Sequence, residues 1–483
     1  MNLRILSDTP AHHKELVDVA SLFFGRVNLT EDDSDLTARF TERLKGGARV
    51  CGVVLSGCVA GAHTTRGEVG AGALEQKRLH KRQVKLTLYY ALKQATGIAP
   101  PWGALTGIRP TRLVYEAMAR GLSLEAACLE TRRLFDLSAE KTRLLKEVVR
   151  AQAALPAPAP RDVDVYIGIP FCVSRCRYCS FISAEVGDGA ALAPYVAALA
   201  REIAAVERLI AEHSLSVRAF YMGGGTPTAL TAPLLHEALS AAGGLIACAR
   251  EATVEAGRPD TIDAEKLRII RAAGVGRISV NPQTMHDATL ALIGRAHTGR
   301  DAEEAMALAR AAGFHGINMD LIAGLPGEDA TMFSDTLAWV RGMRPDNLTV
   351  HTLCVKRSSD MHRWQDALPD GAAVSHMADL GFDAARGMGM RPYYLYRQKH
   401  MAGNLENVGY ALPGSECLYN VDTMEDHVSV LALGAGGISK RVWPDRSWIV
   451  RAANVKDVSG YIERVDEMAE RKVALWRQDA FAG

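Results

Sequence analysis

Three cysteines in one short run are the residues of this chain best placed to do chemistry. Cys172, Cys176 and Cys179 stand in Ile169-Pro170-Phe171-Cys172-Val173-Ser174-Arg175-Cys176-Arg177-Tyr178-Cys179, a C-x3-C-x2-C spacing. The chain has nine cysteines in 483 residues, so chance is a poor account of that spacing and the competing readings are metal sites. A structural zinc needs four protein ligands, and no histidine occurs between Cys179 and His213 to complete a local set. A redox reading of Cys176 and Cys179 leaves Cys172 unexplained. Three thiolates on one loop can hold three irons of a 4Fe-4S cluster and leave the fourth iron open to a substrate or cofactor.

The elements that must position this loop are legible around it. It follows directly on an apolar run, Val163 to Ile169, and five more such runs come after it: Val217 to Met222, Ala252 to Ala256, Arg277 to Val280, Ile317 to Ala323 and Asn347 to Val355. Amphipathic stretches at 194–212, 264–273 and 301–312 separate them, the alternation of βα units and a parallel sheet. Six units are too few for an eight-fold barrel, so the expected fold is α/β, a partial six-stranded parallel barrel. Alternating prolines and alanines at 153–160 favour a stiff connector. The expected domains are an N-terminal α/β accessory domain (1–155), the barrel (156–365) and a C-terminal α+β region covering the substrate (366–483). In the first, residues 48–62 read as a strand or hairpin, and 77–96, 111–119 and 123–152 as helices.

Further motifs make a family resemblance specific. Tyr178 precedes the last cysteine, and Met222-Gly223-Gly224-Gly225-Thr226-Pro227 follows the second strand. Together with the cysteine loop these resemble the radical S-adenosylmethionine enzymes. Val165-Tyr166-Ile167-Gly168-Ile169-Pro170-Phe171-Cys172, Ser279-Val280-Asn281-Pro282-Gln283 and Asn318-Met319-Asp320-Leu321-Ile322-Ala323-Gly324-Leu325-Pro326 resemble the oxygen-independent coproporphyrinogen III oxidases. The likeness spans about residues 163–440, and Leu105-Thr106-Gly107-Ile108-Arg109-Pro110-Thr111-Arg112 resembles the longer branch of that family.

The resemblance implies a 4Fe-4S cluster on Cys172, Cys176 and Cys179, with S-adenosylmethionine on its open iron. It implies that backbone groups exposed by Gly223, Gly224, Gly225 and Thr226 meet the methionine amino group, with Glu255 nearby. Gln283 and Asp320 would hold the ribose, Arg295 the carboxylate, and Tyr166 and Tyr178 would also line the cofactor. The implied reaction is decarboxylation of two propionates of coproporphyrinogen III, started by a 5′-deoxyadenosyl radical. The expected partners are a tetrapyrrole substrate and a flavodoxin- or ferredoxin-type reductant. A tetracarboxylate needs cations, and Lys356-Arg357 and Arg397-Gln398-Lys399-His400 are expected at the barrel mouth, while the run Lys77 to Lys85 reads as a solvated helix face. Two positions depart from the decarboxylating pattern: Phe181 stands where a further cysteine is usual, and Gly168 where histidine is. Both resemble the related heme-trafficking proteins, which gives a heme chaperone as the alternative function.

Composition fits an enzyme of this kind. Lys and Arg total 56 against 55 for Asp and Glu, 48% of residues are hydrophobic and 23% charged. That excludes a disordered or collagenous chain and gives no global electrostatic reason for nucleic acid or membrane as main partner. An odd cysteine count at low density suits a reducing compartment, so the expected location is cytoplasmic and the expected state a monomer.

Overall fold

The computed structural model describes residues 1–7, 12–107, 109–179, 184–355, 359, 361, 368–398, 401–443 and 448–478. Lys356, Arg357, Phe181, Lys399 and His400 lie outside them. The chain divides into two compact units, one of Met1–Lys146 with Arg397–Leu405, the other of Glu147–Tyr396 with Glu406–Gly483.

The second unit is built on one sheet. Its strands in chain order are β1 (Asp162–Ile169), β2 (Ser216–Gly224), β3 (Glu251–Gly257), β4 (Arg277–Gln283), β5 (Gly316–Ala323), β6 (Asn347–Thr352), β7 (Arg391–Tyr396), β8 (Asn407–Ala411), β9 (Ser429–Leu433), β10 (Ile438–Trp443) and β11 (Trp448–Ala453). Their order across the sheet is β7-β8-β6-β5-β4-β3-β2-β1-β9-β10-β11. β1 to β6 are the six expected strands, all parallel. The residues after 366 extend this same sheet at both edges: β8 runs antiparallel beside β6, and β9 parallel beside β1. Val163, Val165, Ile167 and Ile169 alternate along β1 and are all buried, so they set one apolar face of the strand into the core.

The crossover helices start where side chains can satisfy their first amides. Asp263 accepts from Lys266 N, Asp329 from Met332 N, and Thr298 forms a reciprocal pair with Asp301. The helix Leu192–Glu212 is held to β9 and to the C-terminal helix Val465–Arg477 by a fully buried polar knot. Glu202 accepts from Lys472 Nζ, Asn454 Nδ2 (2.9 Å), Tyr461 Oη (2.6 Å) and Gly434 N (2.8 Å). Near the start of β1, Arg218 pairs with Asp422 at 2.6 Å and donates to the Pro156 carbonyl at 2.7 Å, anchoring the proline-rich connector.

In the N-terminal unit the sheet order is Asn28–Leu29, Asn2–Leu6, Leu36–Lys45, Ala48–Gly57, Gly61–Gly67. Leu3, Leu16, Val19, Phe40, Val53, Leu88 and Tyr89 form its core, under the helices His13–Phe24 and Ala73–Thr96. The helical stretch expected over 123–152 is two helices, Leu124–Phe135 and Ala139–Gln152, because Asp136 turns left-handed (φ 59°, ψ 44°).

Arg397 belongs to this unit and corrects an expectation. It is buried, donates to the carbonyls of Leu105, Asn404 and Leu405, and lies 5.3 Å from the Trp102 ring centroid. Its charge is committed to closing a loop within this unit. Lys85, expected on a solvated face, is half-buried; desolvation, helped by Lys81, lowers its pKa to about 8, and it donates to Thr106 Oγ1.

Candidate functional site

The cysteine loop leaves the end of β1 and is braced on every side. Phe171–Cys172 pairs in parallel with Ala184–Glu185, and Val186 N donates to the Cys172 carbonyl at 2.9 Å. Cys179 N donates to the Cys176 carbonyl at 3.0 Å, closing a turn that gathers the last two thiols. Arg258, which the sequence reading passed over, straps the loop. Its Nη1 donates to Ser174 O and Oγ, both at 2.9 Å, and lies 3.8 Å from Cys176 Sγ, while Asp260 pairs with its other nitrogen at 2.8 Å. Cys176 is buried and Cys172 and Cys179 are half-buried. Three thiols on one braced loop suit a cluster that binds each thiolate on a separate iron.

The glycine loop at the end of β2 packs directly on the cysteine loop. Gly225 N donates to the Ile169 carbonyl and Thr226 N to the Phe171 carbonyl, each at 2.8 Å, and Thr226 Oγ1 lies 3.5 Å from Cys172 Sγ. A Cβ on Gly225 would stand 2.5 Å from the Phe171 oxygen, and one on Gly223 would stand 2.6 Å from Glu255 Oε2. Gly224 takes φ +111°, a conformation side chains disfavour. The amides of Gly225 and Thr226 are therefore committed to holding the cysteine loop, and Gly224 N–H bonds the Glu255 carboxylate; the backbone groups that could accept from an ammonium are carbonyls.

The candidate binding side chains stand at or near the C-terminal ends of the parallel strands, the ligand edge of such sheets. On β3, Glu255 accepts from Tyr221 Oη. Burial raises its pKa to about 7 against the opposing Tyr221 bond, and the neighbouring Asp320 charge adds to the rise. On β5, Asp320 accepts from Asn318 Nδ2 at 2.7 Å and faces His351 Nε2 at 3.7 Å. Burial alone would raise its pKa; the bonds from His351, Asn318 and Thr349 outweigh this and lower it, so Asp320 is a carboxylate at neutral pH. Tyr396 Oη sits 3.4 Å from His351 Nδ1, completing a chain across β5, β6 and β7. Gln283 ends β4 opposite Leu321, one residue from Asp320. Its backbone is left-handed (φ 72°), and its Oε1 is buried without a partner. A non-glycine residue in that region, holding an unpaired polar atom, is the signature of a site built for a ligand.

Arg295 is buried beneath the loop, its Nε and Nη2 on Tyr178 Oη (3.3 and 3.1 Å) and its Nη1 on the Asn281 carbonyl (2.6 Å). One further N–H remains on each terminal nitrogen. Tyr166 stacks with Tyr221 and Tyr419 into an aromatic wall, the last two 4.4 Å apart between centroids. Tyr393 and Tyr394 are core, as an aromatic stripe more often is. His297 is buried against the Pro282 carbonyl; burial and Arg295 lower its pKa to about 4, so it is neutral. His351, near the strand ends in sequence and expected to be a hydrogen-bonded structural side chain, and Arg258, which had no local signal, each gain their role from a partner on another strand or loop.

Comparison with known proteins follows this geometry. The radical SAM superfamily model matches residues 166–340. The chain is 37% identical over 96% of its length, and 96% of the relative's, to the oxygen-independent coproporphyrinogen-III oxidase-like protein HemZ of Bacillus subtilis. It is 26% identical to the heme chaperone HemW of Escherichia coli, over 62% of this chain and 76% of that one. The fold resembles coproporphyrinogen III oxidase of Escherichia coli, with a TM-score of 0.50 and 22% identity over 69% of this chain and 74% of that one. The chain belongs to the radical SAM superfamily, in the family of oxygen-independent coproporphyrinogen III oxidase-like proteins.

Proposed function

We propose that this protein is a radical SAM enzyme that oxidatively decarboxylates two propionate side chains of coproporphyrinogen III to give protoporphyrinogen IX. The observation that carries the reading is the company Gln283 keeps. A buried, unpaired Oε1 on a left-handed backbone stands one residue in register from the carboxylate of Asp320, on the sheet edge that bears the cysteine loop. Such a position favours a bound cofactor on this edge, and the likeness to the coproporphyrinogen-III oxidase-like relative supplies the substrate class. When bound, the cluster and S-adenosylmethionine supply a carbon-centred radical able to take hydrogen from an unactivated carbon.

Cys172, Cys176 and Cys179 would hold the cluster, and Arg258 fixes the loop that presents them. Asp320 and Gln283 would accept and orient the ribose hydroxyls. Glu255, as carboxylate, would pair with the methionine ammonium, and the remaining N–H groups of Arg295 with its carboxylate. The Tyr166, Tyr221 and Tyr419 wall excludes water from the space beside Glu255. A flavodoxin- or ferredoxin-type reductant, a monomeric state and a cytoplasmic location complete the proposal; among the described residues no helix is long and apolar enough to cross a membrane. Anaerobic reconstitution with coproporphyrinogen III tests it. Stepwise loss of two carboxyl groups, read by mass spectrometry, is expected; cleavage of S-adenosylmethionine with no vinyl product overturns it.

The heme chaperone reading is favoured by the HemW likeness and by Gly168. A Cβ at Gly168 would meet only ordinary contacts, the nearest being Tyr166 at 3.4 Å, so packing at the first side-chain atom does not impose glycine there. A Soret shift with stoichiometric heme is that reading's requirement, and its absence at micromolar heme eliminates it.

A further inference from the structure

The N-terminal unit carries a second group of metal-type donors, independent of the cysteine loop and of the function proposed above. On the strands Leu36–Lys45 and Ala48–Gly57, the helix-covered face reads Leu36, Ala38, Phe40 on one and Leu55, Val53, Cys51 on the other, all buried. The next residue on that face after Phe40 should be apolar and is Glu42, directly opposite Cys51 in register. The helix Ala73–Thr96 lays a stripe of Leu88 and Val84 over the sheet, and one turn earlier the stripe places His80. Two chain segments thus each break an apolar pattern beside the buried Cys51. There the donor atoms of Glu42, Cys51 and His80 all lie within 4.8 Å of one another, with His80 Nε2 2.8 Å from Glu42 Oε1.

A second observation points to the same spot. His12 presents its ring edge-on to His80, centroids 5.0 Å apart, from a backbone in the left-handed region (φ 94°, ψ 12°). For a non-glycine residue that conformation is strained and persists only where its surroundings hold it.

We propose that Cys51, His80 and Glu42, with His12 as the fourth ligand, form a zinc-type divalent metal site. Thiolate, imidazole and carboxylate are each zinc ligands, and four protein ligands with no open position make a closed tetrahedral centre. The ion replaces the hydrogen bond that His80 and Glu42 now share, and binding releases protons as the thiol becomes a thiolate. Arg49, 4.0 Å from the second oxygen of Glu42 and partly exposed, swings toward solvent as the ion takes over the carboxylate. The site clips the hairpin to the helix Ala73–Thr96 and to the start of His13–Phe24, so its role is to stabilise this unit.

Cobalt and zinc titration of the full-length, untagged chain is the test, on a Cys172→Ala, Cys176→Ala, Cys179→Ala background that removes the cluster ligands. One equivalent of Co2+ is expected, with a thiolate charge-transfer band in the near ultraviolet and intense visible bands of a tetrahedral ion. Zn2+ should displace it and raise Tm, and a chelator should reverse that rise. Cys51→Ser should abolish the charge-transfer band, and His80→Gln should weaken binding at least about tenfold. Absence of stoichiometric cobalt, or a cobalt spectrum with no thiolate band, overturns the proposal. Both outcomes are read on the triple-alanine background itself, whether or not the Cys51 and His80 variants fold. A thiolate band that persists in Cys51→Ser overturns it equally.

Discussion

Two polar clusters of the second unit, one fully buried and one half-buried at the ligand edge of the sheet, could hardly be more different in how they are satisfied. Around Glu202 both carboxylate oxygens, the Lys472 ammonium and the Asn454 amide are all paired, and the knot joins three helices, Leu192–Glu212, Val458–Glu463 and Val465–Arg477, to the loop after β9. Around Glu255 and Asp320 charges of the same sign crowd together, one carboxyl is pushed up to about 7, and the neighbouring Gln283 keeps an unpaired oxygen. A saturated network has nothing left to offer a ligand and serves packing. An unsaturated one costs stability and persists only where binding offsets the cost.

Removing the cysteines should test the second cluster most severely. Cys172→Ala, Cys176→Ala, Cys179→Ala protein is expected to be colourless, iron-free and without S-adenosylmethionine cleavage, while its melting transition stays cooperative. Iron content and cleavage equal to the parent would erase the contrast altogether.

The saturated knot should answer in stability. Lys472→Met leaves the Glu202 charge buried with its strongest partner gone, and a loss of about 3–5 kcal/mol in denaturant unfolding is expected. The Glu202→Leu, Lys472→Met pair should recover most of that, since two apolar residues need no partner. If single and double variants unfold alike, the knot is not the fastening described above.

Between these lies the glycine loop. Gly225→Ala drives a methyl into the Phe171 carbonyl, so a loss of about 1–3 kcal/mol is expected together with reduced iron retention, because the displaced backbone is the one leading into Cys172. Reduced stability with full iron occupancy would show that the two loops are less tightly coupled than their packing.

The difference between the clusters also marks how far the sequence could be read. Local periodicity is written along the chain, so β1 to β6 and the crossover helices were legible, and so was the C-x3-C-x2-C loop, whose ligands are near neighbours. The strands β8, β10 and β11 were not: Gly409 interrupts the first, while Ser439, Lys440, Arg441 and Arg451 break the apolar pattern of the other two, the last pair at one margin of the sheet. Within the site, Glu255, Gln283 and Asp320 were found from their motifs. The Asp320–His351–Tyr396 chain and the Arg258 strap were invisible, because each joins residues whose only relation is the register of different strands and loops. Arg397 misled for the same reason: a basic residue in a basic run looks solvated until the carbonyls that claim it are in place.

The smallest effect concerns protons, and it separates the two clusters without any loss of fold. With a pKa near 7 Glu255 is about one-tenth ionised at pH 6 and about nine-tenths at pH 8. If its carboxylate pairs with the ammonium of S-adenosylmethionine, affinity should rise about tenfold from pH 6 to pH 8, measured by calorimetry at fixed ionic strength. Stability should move the other way. Folding raises this carboxyl's pKa above the ordinary 4.5, so the folded state favours the protonated form. The contribution is full below about pH 4.5 and is lost as pH climbs toward 7, which lowers the Tm of the ligand-free protein over that window. Glu255→Gln should flatten both profiles at once, whereas Glu202→Gln, in a cluster with no ligand to bind, should leave the affinity profile unchanged. An affinity that is flat with pH in the parent would mean that Glu255 faces no cation, and the ammonium would have to be held elsewhere on the sheet edge.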